Sequence, residues 1–327
     1  MATLITGAAG FIGYHLARAL LARGEAVIGI DNLSPYYSVA LKRARLADLA
    51  KIGAPFEFVE LDLAGRMAAP ALLQAGGDAG AVIHLAAQPG VRHALVDPHA
   101  YVEANVMGQL NVLEFMRARA AAKNPPKFVY ASSSSVYGLD ASLPFTVGDA
   151  VDTPLSLYAA TKRADELMSE TYCRLFGFAA TGLRFFTVYG PWGRPDMATW
   201  LFTEAILAGK PIQLFDGGAM KRDFTYVDDA VAAVLAVLDA RPPSPGANRL
   251  YNVGNEHAET VSHFVDVLER ALGKKALRQQ APAQPGELKA TWADISGINA
   301  DTGWRPTTAI EQGLPRFVAW YRHYHNI

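Results

Sequence analysis

Residues 2–31 read ATLITGAAGFIGYHLARALLARGEAVIGID, and this segment predicts the fold. An apolar strand at 2–6 leads into a glycine loop, a helix follows to Arg23, and a second strand ends at Asp31. This order of strand, glycine loop, helix, strand and acid is typical of a dinucleotide-binding βαβ unit. A glycine-rich turn without a ligand would explain the loop alone. Asp31, at the end of the second strand, is at the spacing from the loop that favours dinucleotide binding.

The predicted cofactor is NAD. Glycines let the backbone approach a pyrophosphate, whose charge the helix N-terminus stabilises. Asp31 lies 24 positions after Gly7, where an acid bonds the ribose hydroxyls and would repel the 2′-phosphate of NADP. Asp62, at the end of a third strand, is predicted to bond the adenine amino group. The cofactor-binding residues predicted around the loop and the strand ends are Gly7, Gly10, Phe11, Ile12, Gly13, Asp31, Asn32, Asp62, Leu63, Leu85, Ala86, Ala87 and Gln88.

A second informative segment runs from KFVYASSSSVYG, residues 127–138, to LYAATK, residues 157–162. If the latter is helical, Tyr158 and Lys162 lie one turn apart on the same face. A free tyrosine has a pKa of about 10, and a nearby ammonium lowers it. With a serine nearby, the pair is a plausible acid/base catalyst. A solvated helix face has the same spacing, so the pattern is weak by itself.

Six predicted strands alternate with helices, which indicates an α/β fold with a doubly wound parallel sheet of the Rossmann type. Ligands of such sheets bind at the carboxyl ends of the strands. Those ends carry Gly7, Asp31, Asp62, Ala86, Ser133 and Thr187. The long helices predicted over 99–122 and 156–176 offer an apolar face for a twofold partner, hence a homodimer, although core packing would explain the same pattern. His84 is interpreted as a core histidine.

The pattern changes after Thr187, where turn-rich segments and shorter elements follow. We expect residues 1–187 to form the NAD-binding domain, with 224–255 returning to it. Residues 188–223 and 256–327 are expected to form a smaller substrate-binding lobe. Asp228 is predicted to cap a helix, and most of the basic residues in the helix within 32–50 are predicted to be solvated.

The composition is ordinary for a globular protein, with 51% hydrophobic and 19% charged residues. The net charge of −1 gives no basic surface for nucleic acid. The single cysteine, Cys173, excludes an intramolecular disulfide and fits a reducing compartment. No apolar run reaches the roughly 20 residues of a membrane span, and the chain enters a strand at once. We therefore expect a cytoplasmic protein without a signal peptide, a membrane anchor or a metal site.

Several motifs occur in series: GAAGFIG, HLAAQPGVRHAL, NVMGQLNVLE, ASSSSVYG, YAATK, YGPWGRPDMA and KRDFTYVDD. With these motifs the chain resembles the extended short-chain dehydrogenases/reductases over nearly its whole length. Within them it is similar to the nucleotide-sugar epimerases, above all to the UDP-glucuronate 4-epimerases. The segments YYSVALKRARL and YGPWGRPDMA indicate that branch.

The resemblance implies an NAD-dependent isomerase that converts UDP-glucuronate to UDP-galacturonate. NAD would take a hydride from C4 and return it to the other face of a 4-keto intermediate. Tyr158 would remove the proton of the 4-hydroxyl, Lys162 would assist Tyr158 and hold the nicotinamide ribose, and Ser133 would bond the 4-oxygen. Tyr158 and Lys162 would thereby complete the cofactor-binding set.

The resemblance also implies a substrate-binding set. Ser134, Ser135 and Thr187 would donate to the C6 carboxylate, although serines at such positions also cap strand ends. Two arginines would bind the diphosphate. The full set is Gln88, Arg92, Ser133, Ser134, Ser135, Thr187, Arg194, Arg222 and Glu287, with Gln88 and Arg92 at the sugar and Glu287 in the segment that holds the uridine ribose.

The alternative functions use the same fold. A 4-epimerase of UDP-glucose or of an N-acetylhexosamine would differ at the C6 pocket. A UDP-glucuronate decarboxylase is disfavoured because no acid follows Ser133. A 4,6-dehydratase is disfavoured because Ser134 and Ser135 stand where those enzymes carry Asp and Glu. A non-catalytic nucleotide sensor would not need Ser133, Tyr158 and Lys162 together.

Overall fold

Short apolar segments form the strands, and amphipathic segments between them form helices. The computed structural model describes residues 1–123, 125–139, 142–282 and 288–327. Its strands are β1 Thr3–Thr6, β2 Val27–Asp31, β3 Phe56–Glu60, β4 Ala81–His84, β5 Lys127–Ser133, β6 Ala180–Phe185, β7 Thr187–Tyr189, β8 Pro211–Phe215, β9 Lys221–Arg222, β10 Phe224–Tyr226, β11 Asn248–Val253, β12 Glu259–Thr260, β13 Leu277–Ala281 and β14 Ala290–Thr291.

The α-helices follow the amphipathic segments and are separated by turns. They are α1 Phe11–Ala22, α2 Val39–Leu49, α3 Ala68–Gly76, α4 Pro98–Tyr101, α5 Gly108–Ala121, α6 Leu157–Phe176, α7 Ala198–Ala208, α8 Val227–Asp239, α9 Val261–Leu272, α10 Ser296–Thr302 and α11 Ile310–His325.

Within the described residues, the main sheet has seven strands in the order β11-β6-β5-β4-β1-β2-β3. Every neighbouring pair is parallel. The order reverses beside β1, between β2 and β4, and a crevice opens at such a reversal. The predicted parallel doubly wound sheet is confirmed.

Both faces of the sheet are buried, as a parallel sheet requires. Leu4 and Ile5 are neighbours in β1, but they belong to different apolar clusters. Ile5 packs in the cluster that contains Leu16 and Leu20 of α1, whereas Leu4 packs in the cluster that contains Met116 of α5. Alternating side chains of one strand therefore hold helices on both sides.

The predicted helix over 99–122 contains an irregularity. Residues Val102–Met107 between α4 and α5 are π-helical. The extra residue per turn brings the buried Asn105 to the loop after β4, where it accepts a 2.7 Å hydrogen bond from Gln88 N. Its Nδ2 donates to Thr161 Oγ1 of α6 at 2.9 Å. The π turn thus ties the loop after β4 to α6.

The chain after Thr187 forms small sheets and also returns to the main one. β11 pairs with β6 along six residues, from Asn248 to Val253. β8 pairs with β13, and β9 pairs with β12 and β14, all outside the main sheet. These pairings join segments from 211–222 to segments from 259–291.

Two local predictions were wrong. Tyr226 occupies the N-cap position of α8, so Asp228 lies in the first turn and does not cap the helix. In α2, Lys42 and Arg45 are not solvated but are 6% and 0% exposed. Their long side chains reach polar groups of other segments, which the local sequence did not reveal.

Candidate active site

A cleft with a volume of about 360 Å³ lies along the carboxyl ends of the strands. This volume falls within the usual range of small-molecule sites. The cleft is lined by the glycine loop, by Asp31, by Asp62 and by the chain after β4. All fifteen residues predicted to bind the cofactor line it.

The backbone of the glycine loop packs too closely against its neighbours to accept side chains at Gly7 and Gly13. Gly7 has a φ of +73°, and a Cβ there would lie 2.7 Å from the amide nitrogen of Ala86. A Cβ on Gly13 would lie 2.1 Å from the carbonyl oxygen of Gly7. The α1 helix begins beside the loop at Phe11, so the positive end of its dipole lies at the cleft. The loop therefore suits a pyrophosphate.

Asp31 is held at the end of β2 by backbone amides. Its Oδ2 accepts a 3.1 Å hydrogen bond from Ala9 N, and its Oδ1 accepts a 2.8 Å bond from Leu33 N. The ammonium of Lys42 lies 3.8 Å from Oδ1. Burial lowers the pKa of Lys42, although the charge of Asp31 opposes that effect. A fixed carboxylate at this place fits the ribose hydroxyls of a dinucleotide.

Tyr158 and Lys162 lie in α6 and both line the cleft. The helix begins after Ser156, whose side chain accepts a hydrogen bond from Ala159 N. Lys162 Nζ donates to Asp165 Oδ2 at 2.9 Å and to the carbonyl oxygen of Ala131 at 3.2 Å. Burial alone would lower the pKa of Lys162, but the charges of Asp165 and Tyr158 outweigh burial and raise it. A positive charge is thus maintained one turn from the phenol.

Ser133 is the last residue of β5 and lines the cleft. Its Oγ donates to Ser135 Oγ at 3.1 Å and accepts from Ser135 N at 3.2 Å. Ser134 and Ser135 begin a 3₁₀ turn over Ser134–Tyr137 and do not line the cleft. In this arrangement Ser133 presents its hydroxyl at the sheet edge, and Ser135 orients it.

Arg194 reaches the cleft from the turn after β7. It forms a two-pronged ion pair with Asp196, with distances of 3.0 and 2.6 Å. Asp196 also accepts a 3.0 Å hydrogen bond from the hydroxyl of Tyr36, which lines the cleft as well. Forked guanidinium geometry suits phosphate as well as carboxylate, so an entering diphosphate would compete with Asp196 for Arg194.

Other predicted substrate residues lie outside the cleft lining. Arg92 stacks with its guanidinium 5.4 Å from the ring centroid of Phe215. Thr187 N donates to the carbonyl oxygen of Asp223 in the pairing of β7 and β10. Arg222 donates to the carbonyl oxygen of Lys221. Glu287 lies outside the described residues. The structure thus brings Gln88, Ser133 and Arg194 of the substrate set into the cleft.

Sequence reasoning missed several residues of the site. Tyr36, Tyr37 and Lys42 line the cleft from the segment after β2, and Glu103 lines it from the π turn. Arg45 lies behind this wall, where it donates to the carbonyl oxygens of Ala9 and Trp192 at 2.8 and 2.6 Å. Lys42 and Arg45 are three residues apart and share one face of α2. This spacing could have indicated that both side chains face the same part of the protein.

His84, interpreted as a core histidine, is 1% exposed and bonds Thr6 Oγ1 at 2.6 Å. Across the described ranges, no helix is long and apolar enough to cross a bilayer. No group of three or more His, Cys, Asp or Glu side chains among the described residues is arranged to hold a metal ion.

Residues 3–254 match the model of the NAD dependent epimerase/dehydratase family. UDP-glucuronate 4-epimerase 1 of Arabidopsis thaliana is 45% identical over 99% of this chain and 77% of its own length. The probable UDP-glucuronate 4-epimerase of Rhizobium meliloti is 40% identical over 98% of this chain and 97% of its own. The crystal structure of UDP-glucuronic acid 4-epimerase from Bacillus cereus, in complex with UDP-glucuronic acid and NAD, superposes with a TM-score of 0.89 at 34% identity, covering 99% of this chain and 100% of that one.

The family match, the identities and the superposition each extend over the parallel sheet and the cleft. This chain belongs to the NAD dependent epimerase/dehydratase family.

Proposed function

We propose that this protein is a UDP-glucuronate 4-epimerase that interconverts UDP-glucuronate and UDP-galacturonate. One observation carries the proposal. Ser133, Tyr158 and Lys162 line the same cleft as the glycine loop and Asp31. The similarity to named UDP-glucuronate 4-epimerases along the whole chain supports the substrate.

The cleft fits NAD, because the N-terminus of α1 lies at the cleft where it can bind a pyrophosphate and Asp31 is fixed where a ribose would lie. When bound, NAD supplies the chemistry of accepting a hydride from the sugar C4 and returning it. Tyr158, as its phenolate, takes the proton of the 4-hydroxyl and later returns it. Ser133 Oγ bonds the 4-oxygen, and the ammonium of Lys162 stabilises negative charge on Tyr158.

The substrate is proposed to lie between the sheet edge and the smaller unit. Arg194 and Arg222 bind the diphosphate, and Gln88 and Arg92 contact the sugar. Ser134, Ser135 and Thr187 donate to the C6 carboxylate, and Glu287 belongs to the segment that holds the uridine ribose. In this proposal residues 1–187 with 224–255 bind NAD, and residues 188–223 with 256–327 bind the nucleotide sugar.

The protein is further proposed to be a cytoplasmic homodimer. Its helices over 98–121 and 157–176 expose apolar side chains: Val102 is 45% exposed, Leu167 52% and Leu175 68%. A second copy related by a twofold axis would bury these residues. Light scattering of Leu167→Glu should give a smaller mass than the wild type. Leu277→Glu, in a residue 57% exposed on β13, should not.

The function is tested by incubating the purified protein with UDP-glucuronate without added NAD, followed by chromatography and mass spectrometry. A product of unchanged mass that co-elutes with UDP-galacturonate supports the proposal and shows that bound cofactor recycles. A product lighter by carbon dioxide indicates a decarboxylase. Conversion of UDP-glucose or UDP-N-acetylglucosamine alone indicates a different epimerase.

A further inference from the structure

Behind the cleft, Lys162 forms a buried ion pair that the epimerisation chemistry described above does not use. Asp165 lies three residues after Lys162 in α6, with Oδ2 2.9 Å from Lys162 Nζ. The two side chains are 0% and 2% exposed, respectively. The other carboxylate oxygen, Oδ1, is also buried and has no hydrogen-bond partner among the described residues. Among the described residues, the carboxylate of Asp165 is therefore hydrogen-bonded to Lys162 alone.

The contacts of Lys162 determine where its ammonium can bind a ligand. An ammonium has three N–H donors. Two of them are directed to Asp165 Oδ2 and to the carbonyl oxygen of Ala131. These two bonds fix the side chain and leave the third donor for the cleft that Lys162 lines. Without Asp165 one restraint on the direction of that donor is lost.

The charges around Asp165 come from four elements. Glu166 in α6 is compensated, because Arg184 of β6 binds it at 2.8 and 2.9 Å and Arg163 at 3.1 Å. His84 of β4 is neutral at pH 7, because burial and the charge of Lys162 lower its pKa to about 3.

Two tyrosines complete this environment. Tyr130 of β5 is neutral because burial raises its pKa. Tyr158 lies on α6 with Lys162. Burial raises the pKa of Asp165 to about 6, and the charge of Lys162 opposes that rise. The ammonium 2.9 Å away favours the ionised carboxylate.

We propose that Asp165 is a positioning residue for this reaction. It orients the ammonium of Lys162 and sets the pH range over which Tyr158 and Lys162 act together. The inference rests on the proposed function. Asp165 is not itself part of the cleft lining, and its hydrogen bond is to Lys162, which is, so it acts through Lys162.

The test compares Asp165→Asn with the wild type and with Glu170→Gln. Asparagine keeps the shape of the side chain and removes its charge. A negative charge raises the pKa of each neighbouring group, so its removal should move both limbs of the pH profile of kcat toward acid, by about one pH unit. Glu170 lies on the same helix, paired with the exposed Arg174, and its variant should keep the wild-type profile.

A second measurement needs neither cofactor nor turnover. The titration of Lys162 is followed by NMR of ε-¹³C-lysine in the apoprotein, with the signal assigned from Lys162→Arg. In Asp165→Asn this signal should titrate at lower pH than in the wild type. An unchanged titration together with an unchanged pH profile in the folded variant would overturn the proposal.

A charge-retaining variant covers the case in which Asp165→Asn does not fold. Asp165→Glu keeps the charge but lengthens the side chain, so the pH profile should stay in place while kcat falls. Unchanged kcat in Asp165→Glu would overturn the positioning role. Absence of turnover of every UDP-sugar by the wild type would instead refute the proposed function, and the NMR comparison would still decide whether Asp165 sets the charge of Lys162.

Discussion

Arg184 and Glu166 form a buried two-pronged ion pair between β6 and α6, with nitrogen–oxygen distances of 2.8 and 2.9 Å. Both side chains are 1% exposed. Glu166 also accepts a 2.6 Å hydrogen bond from Ser132, the neighbour of Ser133. The helix that carries Tyr158 is therefore anchored to β5 and β6, both of which end at the cleft.

Replacing Glu166 with Gln should be strongly destabilising, because the guanidinium of Arg184 would stay buried without its counter-charge. We expect the free energy of unfolding to fall by about 3–5 kcal/mol. Urea denaturation monitored by circular dichroism measures this change. Glu170→Gln, which breaks the exposed pair with Arg174, should change the value by less than about 1 kcal/mol. Equal losses in the two variants would contradict the anchoring role.

Tyr158→Phe should retain bound NAD and lose most turnover, because it removes only the hydroxyl that exchanges a proton with the substrate. Acid/base groups of this kind contribute about 10²–10⁴-fold to the rate. Turnover is measured by chromatography of the UDP-sugars, and NAD content by its release on denaturation. Full activity in this variant would refute the mechanism. Loss of NAD together with activity would indicate a binding role instead.

Asp31→Asn should weaken NAD binding about tenfold or more, because a charged hydrogen-bond acceptor for the ribose is lost. The variant should also discriminate less against NADP, since the ammonium of Lys42, 3.8 Å from Asp31, would become available to a 2′-phosphate. Calorimetric titration of the apoprotein with both cofactors measures the two affinities. Glu60→Gln, at the exposed end of β3, is the matched control. An unaltered ratio of the affinities would show that Asp31 does not set the preference.

His15 should make stability depend on pH. Burial lowers its pKa from 6.5 to about 4, although the hydrogen bond from its Nε2 to the carbonyl oxygen of Pro191 opposes this effect. Between these values the unfolded chain takes up a proton that the folded protein excludes. The stabilisation is therefore complete above pH 6.5 and is lost as the pH falls toward 4, at up to about 1.4 kcal/mol per unit.

His15→Gln cannot take up this proton but can still donate to Pro191. Between pH 7.5 and 5 its free energy of unfolding should fall by about 1–2 kcal/mol less than that of the wild type. Urea denaturation at both pH values provides the comparison. The exposed His99→Gln should behave as the wild type does. Identical pH dependence in all three proteins would contradict the assignment to His15.

Features that depend on residues close together in the sequence could be predicted from the sequence alone. The glycine loop and Asp31 are separated by one helix, so their spacing predicted both the βαβ unit and the acid at its edge. Tyr158 and Lys162 likewise share one helix. The fold class followed from the alternation of strands and helices.

Features that depend on contacts between distant segments were not predictable in this way. Arg45 is buried because Ala9 and Trp192, far away in sequence, supply its carbonyl partners. Asp165 looks like a solvated helix residue until α6 is packed against β5. The pairing of Arg194 with Asp196 could have been predicted, because they are two residues apart. The contact of Asp196 with Tyr36 spans 160 positions and could not be predicted in this way.

The fate of the hydrogen at C4 of the sugar tests the proposed hydride transfer. UDP-glucuronate carrying deuterium at C4 is incubated with the purified protein in ordinary water, and the UDP-galacturonate formed is analysed by mass spectrometry and NMR. Deuterium should remain at C4 with inverted configuration, because the same atom leaves and returns within the cleft. Replacement of the deuterium by solvent hydrogen would contradict the proposed hydride transfer.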